Sequence, residues 1–190
     1  QVVARYPYVD ESGKLLYEIE RLVPKDFLVR RKMPNGSFEY KLGDCRRVLF
    51  RLPQVIAAIR AGKIVYLCEG EKDVIAVEGA GGIGTTNVFG ASSWDTRYTE
   101  ALNGADVVVL VDRDEAGAKR AKMLKAKLSG VVKSLVFVQA AVGHDAHDHL
   151  AAGKTLEELE PYEFPEGVTV VEGHRFVSLT DLLQEEPEEV

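Results

Sequence analysis

The chain has 190 residues, 46% hydrophobic and 28% charged, with a formal net charge of −6; that is enough apolar material for a real core and more than one compact unit usually needs. No apolar run approaches the roughly 20 residues of a membrane helix, no secretory leader opens the chain, and Cys45 and Cys68 form neither a CxxC pair nor a zinc spacing. A membrane protein, an exported disulfide scaffold and a zinc module are set aside, and the expectation is a cytoplasmic protein with reduced thiols, cut from a longer chain because it opens on Gln1.

Residues 2–42 read as antiparallel strands. Leu15, Tyr17 and Ile19 alternate with Leu16 and Glu18, and Phe38, Tyr40 and Leu42 alternate with Glu39 and Lys41. Asp10-Glu11-Ser12-Gly13 and Pro34-Asn35-Gly36-Ser37 supply the turns, the Asn-Gly step suiting positive φ. The prediction is a small β-meander edged by Arg21, Lys25, Arg30, Arg31 and Lys32. Residues 1–63 hold 13 Lys/Arg against 7 Asp/Glu, which points this end toward a polyanion. Tyr8, Tyr17, Phe38 and Tyr40 suit either the core of the meander or base stacking. Pro53 fits the first turn of a helix through Val55, Ile56 and Ile59, ended by Gly62.

After Lys63 the texture changes. Ile64–Cys68, Val107–Val111 and Leu135–Val138 are continuous apolar runs, as expected of parallel strands buried on both faces. Helical stretches lie between them at Glu71–Glu78, Thr96–Leu102 and Glu115–Leu128, the last with Lys119, Arg120, Lys122, Lys125 and Lys127 as a solvated face. An α/β domain with a mainly parallel sheet and right-handed crossovers follows. From Thr155 onward stand 11 acidic residues and one Arg, and residues 172–190 read as an acidic linker. The expected organisation is a basic meander plus helix over 1–63, an α/β catalytic domain over 64–153, and an acidic extension over 154–190 leading to a further domain.

The chemistry sits where buried strands end. Glu69-Gly70-Glu71-Lys72-Asp73 follows the first and Asp112-Arg113-Asp114-Glu115-Ala116-Gly117 the second, and α/β folds place sites at the carboxyl ends of their strands. If strand geometry continues, Asp112 and Asp114 point the same way, and Glu69 faces them from a neighbouring strand. Three such carboxylates repel unless a hard cation offsets their charge, and magnesium does so while keeping positions for water or phosphate oxygens. Phosphoryl transfer is the natural use, with Glu69 as ligand or proton acceptor. Against this, an Asp-x-Asp after a strand is common as helix-cap chemistry.

A strand ending in Glu-Gly-x-x-Asp, followed about forty residues later by one ending in Asp-x-Asp-x-Ala-Gly, resembles the TOPRIM family of primases, topoisomerases and some nucleases. Residues 64–153 carry the likeness, in Val65–Asp73, in Gly84-Thr85-Thr86 and Gly90-Ala91-Ser92-Ser93-Trp94, and in Val109–Gly117. The form is most similar to bacterial, phage and mobile-element primases, and the flanks Arg21-x-x-Pro24-Lys25-x-Phe27, Val48–Pro53 and Val177–Leu183 look like those of primase-helicase replication proteins.

The resemblance implies a TOPRIM (Rossmann-like) fold and an Mg2+- or Mn2+-dependent nucleotidyltransferase that makes RNA primers on single-stranded DNA. Its partners would be the template, ribonucleoside triphosphates and a helicase-like ATPase. Glu69 becomes the acid of the first motif, and Asp112 and Asp114 become metal ligands. Asp145 or Asp148 would be a further acid after the last core strand. Lys72 and Arg113 join the basic front residues as nucleotide or nucleic-acid contacts, Arg113 standing where replicative primases have a small residue. A TOPRIM nuclease would use the same acids, and a non-catalytic nucleic-acid-binding module of a replicative helicase is the alternative from another class. His144, His147 and His149 suit a polar helix start better than a zinc site, since His149 diverges from the face of the other two. The glycines at 79, 81, 82 and 84 give no GxGxxG, and no organic cofactor is expected.

Overall fold

The structure, a computed structural model, describes residues 1–90 and 93–164. The linker expected over 172–190, the Val177–Leu183 flank and Ala91-Ser92 of the Gly-Ala-Ser-Ser-Trp motif lie outside the described residues. No described helix is long and apolar enough to cross a membrane.

The amino-terminal part is a four-stranded antiparallel meander in the order β1 (Val2–Val9), β2 (Leu15–Leu22), β3 (Asp26–Lys32), β4 (Phe38–Glu39). Its first turn closes on the Asp10 carboxylate, whose Oδ1 accepts from the backbone of Ser12 and Lys14, with Gly13 at φ +84°. Gly36 takes the positive φ expected of the Asn-Gly step. β4 is shorter than the alternation of Phe38, Tyr40 and Leu42 suggests. Leu42 turns into the core, while Phe38 and Tyr40 stay exposed. Tyr8 and Tyr17 stack with ring centroids 4.8 Å apart and are fully buried, so the four aromatics divide, two to the core and two to the surface.

The second part is a five-stranded sheet in the order β6 (Gly84–Thr85), β5 (Ile64–Leu67), β7 (Asp106–Val111), β8 (Ser134–Gln139), β9 (Glu160–Pro161). The first four strands are parallel and β9 is antiparallel. Every residue of β7 is buried, and after Asp106, which is held by Ser134 and Lys133, its sequence is an unbroken apolar run. The helices are α1 (Leu52–Arg60), α2 (Glu71–Gly79), α3 (Thr96–Ala101), α4 (Glu115–Leu128) and α5 (Ala146–Ala151). Gly62, at φ +61°, follows the end of α1.

One apolar cluster runs from the meander into the sheet, joining Tyr8, Tyr17 and Phe50 to Cys68, Val74 and Val108. The connection before α1 is fixed to β6 and the residue after it, with Phe50 N donating to Thr86 O and Thr85 Oγ1 to Phe50 O. The Tyr8 hydroxyl donates to Glu71 Oε1 across 2.8 Å, so the meander touches the first turn of α2 directly.

Gly117, in the first turn of α4, lets that helix lie against the end of β7. A Cβ there would sit 2.3 Å from Asp112 O and 3.0 Å from Asp112 N, backbone atoms that cannot swing aside. Helix propensity alone would make Gly117→Ala stabilising by about 1 kcal/mol. The clash reverses the sign, and urea denaturation should show a loss of about 2 kcal/mol. A stabilised variant would show that α4 has room to move away from Asp112.

Candidate active site

Three adjacent strands deliver carboxylates to one edge. Glu69 follows β5, Asp112 and Asp114 follow β7, and Asp145 precedes α5 after β8, while Asp73 projects from the first turn of α2. The loops are tied together. Arg113 N donates to His144 O, and His147 N donates to Asp73 Oδ1 at 3.1 Å.

Asp112 is half-buried, and its carboxyl is pushed up to about 8, first by burial and then by the negative fields of Glu69, Asp73, Asp145 and Asp114. Glu69 is raised too, chiefly by burial, with Arg120 opposing. Its Oε2 is buried and has no hydrogen-bond partner. Asp73 is raised by burial and by Asp145. At Asp145 burial is outweighed by the backbone N–H of Asp148 and the Lys72 ammonium, 3.0 Å away, and the carboxyl is lowered.

Strand geometry does not continue through Asp112-Arg113-Asp114. Asp114 N donates to Asp112 O in a tight turn, and Asp114 caps α4 by accepting from Gly117 N at 2.7 Å. Asp114 is therefore a helix cap, and its exposed carboxylate also adds to the field on Asp112 and Glu69.

A cavity of about 460 Å³ brings Glu69, Asp73, Asp112 and Asp145 together with Arg21, Lys25 and Lys72. Asp114, Asp148, Arg113, Arg30, Arg31 and Lys32 do not line it. Arg113 reaches Glu160 instead, at 3.2 Å. The guanidinium of Arg30 lies between Glu18 and Glu20, and that of Arg31 is held by Glu39. Arg21, Lys25 and Lys32 form no ion pair within the described residues, so the open cations of the meander are not the adjacent arginines that stand out in the sequence.

One reading of the sequence is corrected outright. Arg120 is not on the solvated face of α4; it is 2% exposed. Its Nη2 donates to Cys68 O at 2.8 Å and its Nη1 to Asn87 Oδ1 at 2.9 Å. A buried cation beneath buried acids offsets part of their repulsion, and its fork fixes the residue before Glu69. Helical periodicity assigned it to the wrong face because it ignores what lies over the helix start. Asn87, which takes the other arm of the fork, carried no signal in the sequence.

Asp145, His147 and Asp148 form the described group whose ligand atoms all lie within 4.8 Å of one another. Glu69, Asp112 and Asp114, expected to share one cation, do not form such a tight group among the described residues. His149 is a core residue. Its Nδ1 accepts from Ala141 N and its Nε2–H faces Thr155 O at 2.8 Å, which sets the tautomer and uses both nitrogens. The hard-oxygen donor set and the orphaned Glu69 Oε2 fit a divalent cation such as Mg2+ or Mn2+.

No family model matches the chain, and no curated protein does. Solved structures do. A DNA primase domain from Pseudomonas aeruginosa superposes with a TM-score of 0.58 at 20% identity, over 82% of this chain and 47% of that one. The E. coli primase catalytic core gives 0.58 at 16% identity, over 83% and 52%. The primase fragment of the bacteriophage T7 primase-helicase protein gives 0.53 at 21%, over 78% and 57%. The chain thus has the α/β fold of primase catalytic cores, and it spans about half the length of the solved chains it resembles.

The raised Asp112 has a measurable cost. An aspartate ionises near 3.9 when unfolded, so between that pH and about 8 the unfolded chain carries a charge that the folded protein resists. Without metal, stability should fall as pH rises through this window. Asp112→Asn removes the cost, and in EDTA its advantage over the parent should be near zero at pH 4 and grow to about 1–2 kcal/mol at pH 8, allowing for solvent screening of a half-buried group. An advantage that does not change with pH, in melts across that range, would mean that burial and the neighbouring acids do not raise Asp112.

Proposed function

We propose that this chain is the catalytic portion of a primase-type nucleotidyltransferase, joining ribonucleotides on a single-stranded DNA template. The observation that carries the reading is the cavity itself, where Glu69, Asp112 and Asp145 after the strands and Glu71 and Asp73 of α2 face Arg21, Lys25 and Lys72. An acidic floor suits a divalent cation, and a cationic wall suits the phosphates that such a cation accompanies. The fold likeness supports it, one such neighbour being a DnaG primase catalytic domain bound to single-stranded DNA.

Glu69, Asp112 and Asp145 would hold the cation, with Asp114 adding charge from the rim. Bound there, it would supply Lewis-acid stabilisation of phosphoryl oxygens. Arg21 and Lys25 neutralise backbone or triphosphate charge and orient the chain entering the cavity. Lys72 is held on Asp145, which keeps its ammonium at the cavity wall. Glu69, raised by burial and with one oxygen unpartnered, serves either as a ligand of that cation or, instead, as acceptor of the proton of an attacking hydroxyl. Asp148, Arg113 and the ion-paired Arg30 and Arg31 are outer residues in this reading. A helicase-like ATPase supplied by the rest of the protein, or by a partner, completes it.

Metal-dependent incorporation of labelled ribonucleotides on a single-stranded template tests the activity. Degradation of a labelled strand would identify a nuclease, and binding without either reaction a non-catalytic module. The template contact has its own test. Arg21→Ala with Lys25→Ala should weaken single-stranded DNA binding and flatten its log–log salt dependence by roughly 0.7 per lost contact. Arg30→Ala with Arg31→Ala should lower thermal stability and leave that slope nearly unchanged. The opposite pattern would put the template path across the outer strands of the meander.

A further inference from the structure

The cavity that holds the acids is also lined by two exposed aromatic rings, Phe27 and Phe89, 41% and 49% exposed. Neither is needed by the core. Phe27 lies on β3 directly across the ladder from Arg21 on β2, so one edge of the meander presents a ring and a cation side by side. Phe89 comes from a different element, the loop after β6.

The backbone of that loop is unusual. Phe89 has φ +60° and Gly90 φ +63°, the left-handed region that a bulky side chain rarely adopts. The conformation is held from both sides. Asn87 Nδ2 donates to Val88 O and to Gly90 O, and Ser93 Oγ donates to Val88 O. Asn87 is itself buried and receives Arg120 Nη1, while the other arm of the same guanidinium holds Cys68 O, next to Glu69. One buried side chain therefore sets both the acid and the ring. Strained backbone that holds an apolar ring in water beside an ionic site is costly unless a ligand covers the ring.

We infer that Phe27 and Phe89 stack on nucleobases in this cavity, placing a base while Arg21 and Lys25 take the phosphates and the carboxylates face the reacting end. The inference rests on the nucleotidyltransferase reading and adds the residues that grip the base. Flat apolar faces beside cations match a nucleotide, whose base has a π-face and whose phosphates are anionic. The base belongs either to the incoming ribonucleotide or to the template.

The test uses the full chain with Mn2+ and three probes: ATP, a fluorescent sixteen-residue thymidine oligonucleotide, and an abasic strand of the same length. Stacking is lost on alanine substitution by roughly 5- to 150-fold per base. Phe89→Ala and Phe27→Ala should each weaken ATP or the thymidine strand by such a factor, without changing Mn2+ affinity or the weak binding of the abasic strand. Phe89→Trp should restore the loss. Weakening of ATP alone assigns the rings to the incoming nucleotide, and weakening of the thymidine strand alone assigns them to the template. If the parent binds ATP and the thymidine strand and both alanine variants bind them equally well, base stacking is overturned while the proposed activity stands. If the parent binds neither, both are overturned.

Discussion

Mutual repulsion among carboxylates is the constraint around which the rest of this molecule is arranged. Acids follow three neighbouring parallel strands, and another, Asp73, comes from α2. The protein relieves the repulsion in different ways at different residues. Asp114 and Asp145 sit at helix starts and accept backbone N–H groups, where a negative charge is favourable. Asp145 has Lys72 as well. Arg120 supplies a buried positive charge beneath the group. Asp112 caps no helix, and burial first, then the fields of Glu69, Asp73, Asp145 and Asp114, push its carboxyl up to about 8 despite Arg120 nearby. A divalent cation held there would relieve that residue and partner the orphaned oxygen of Glu69.

The meander gives the acidic edge its other half. Tyr8 and Tyr17 join its inner face to the core of the sheet, and the hydrogen bond from Tyr8 to Glu71 brings it against the start of α2. This places Arg21, Lys25 and Phe27 over the strand ends. The arginines further along the meander are consumed by Glu18, Glu20 and Glu39, so net charge by segment overstates the cations that are open to a ligand.

Much of this was legible in the sequence, for reasons that differ by element. The parallel strands showed because burial on both faces leaves an uninterrupted apolar run, and α4 showed because its apolar stripe has helical period. The acids showed because they stand at fixed places after those strands. What periodicity cannot show is tertiary context. Arg120 has the spacing of a surface residue, and only the packing of α4 on β7 and β8 reveals that its fork is spent on Cys68 and Asn87. The i, i+2 spacing of Asp112 and Asp114 suggested a shared direction, yet the tight turn between them and the start of α4 split their roles. Phe89 carried no pattern, because its backbone conformation is imposed by Asn87 and Ser93.

The central claim, that the carboxyl edge of the sheet is a divalent-cation site, is tested most directly by calorimetric titration of Mn2+ into the parent, Asp112→Asn and Asp114→Asn, with melting curves recorded beside it. The account predicts saturable binding to the parent, at least roughly tenfold weaker binding to Asp112→Asn, a smaller loss for Asp114→Asn, and intact folding of both variants. Equal affinity in all three proteins would contradict it, whatever activity they show.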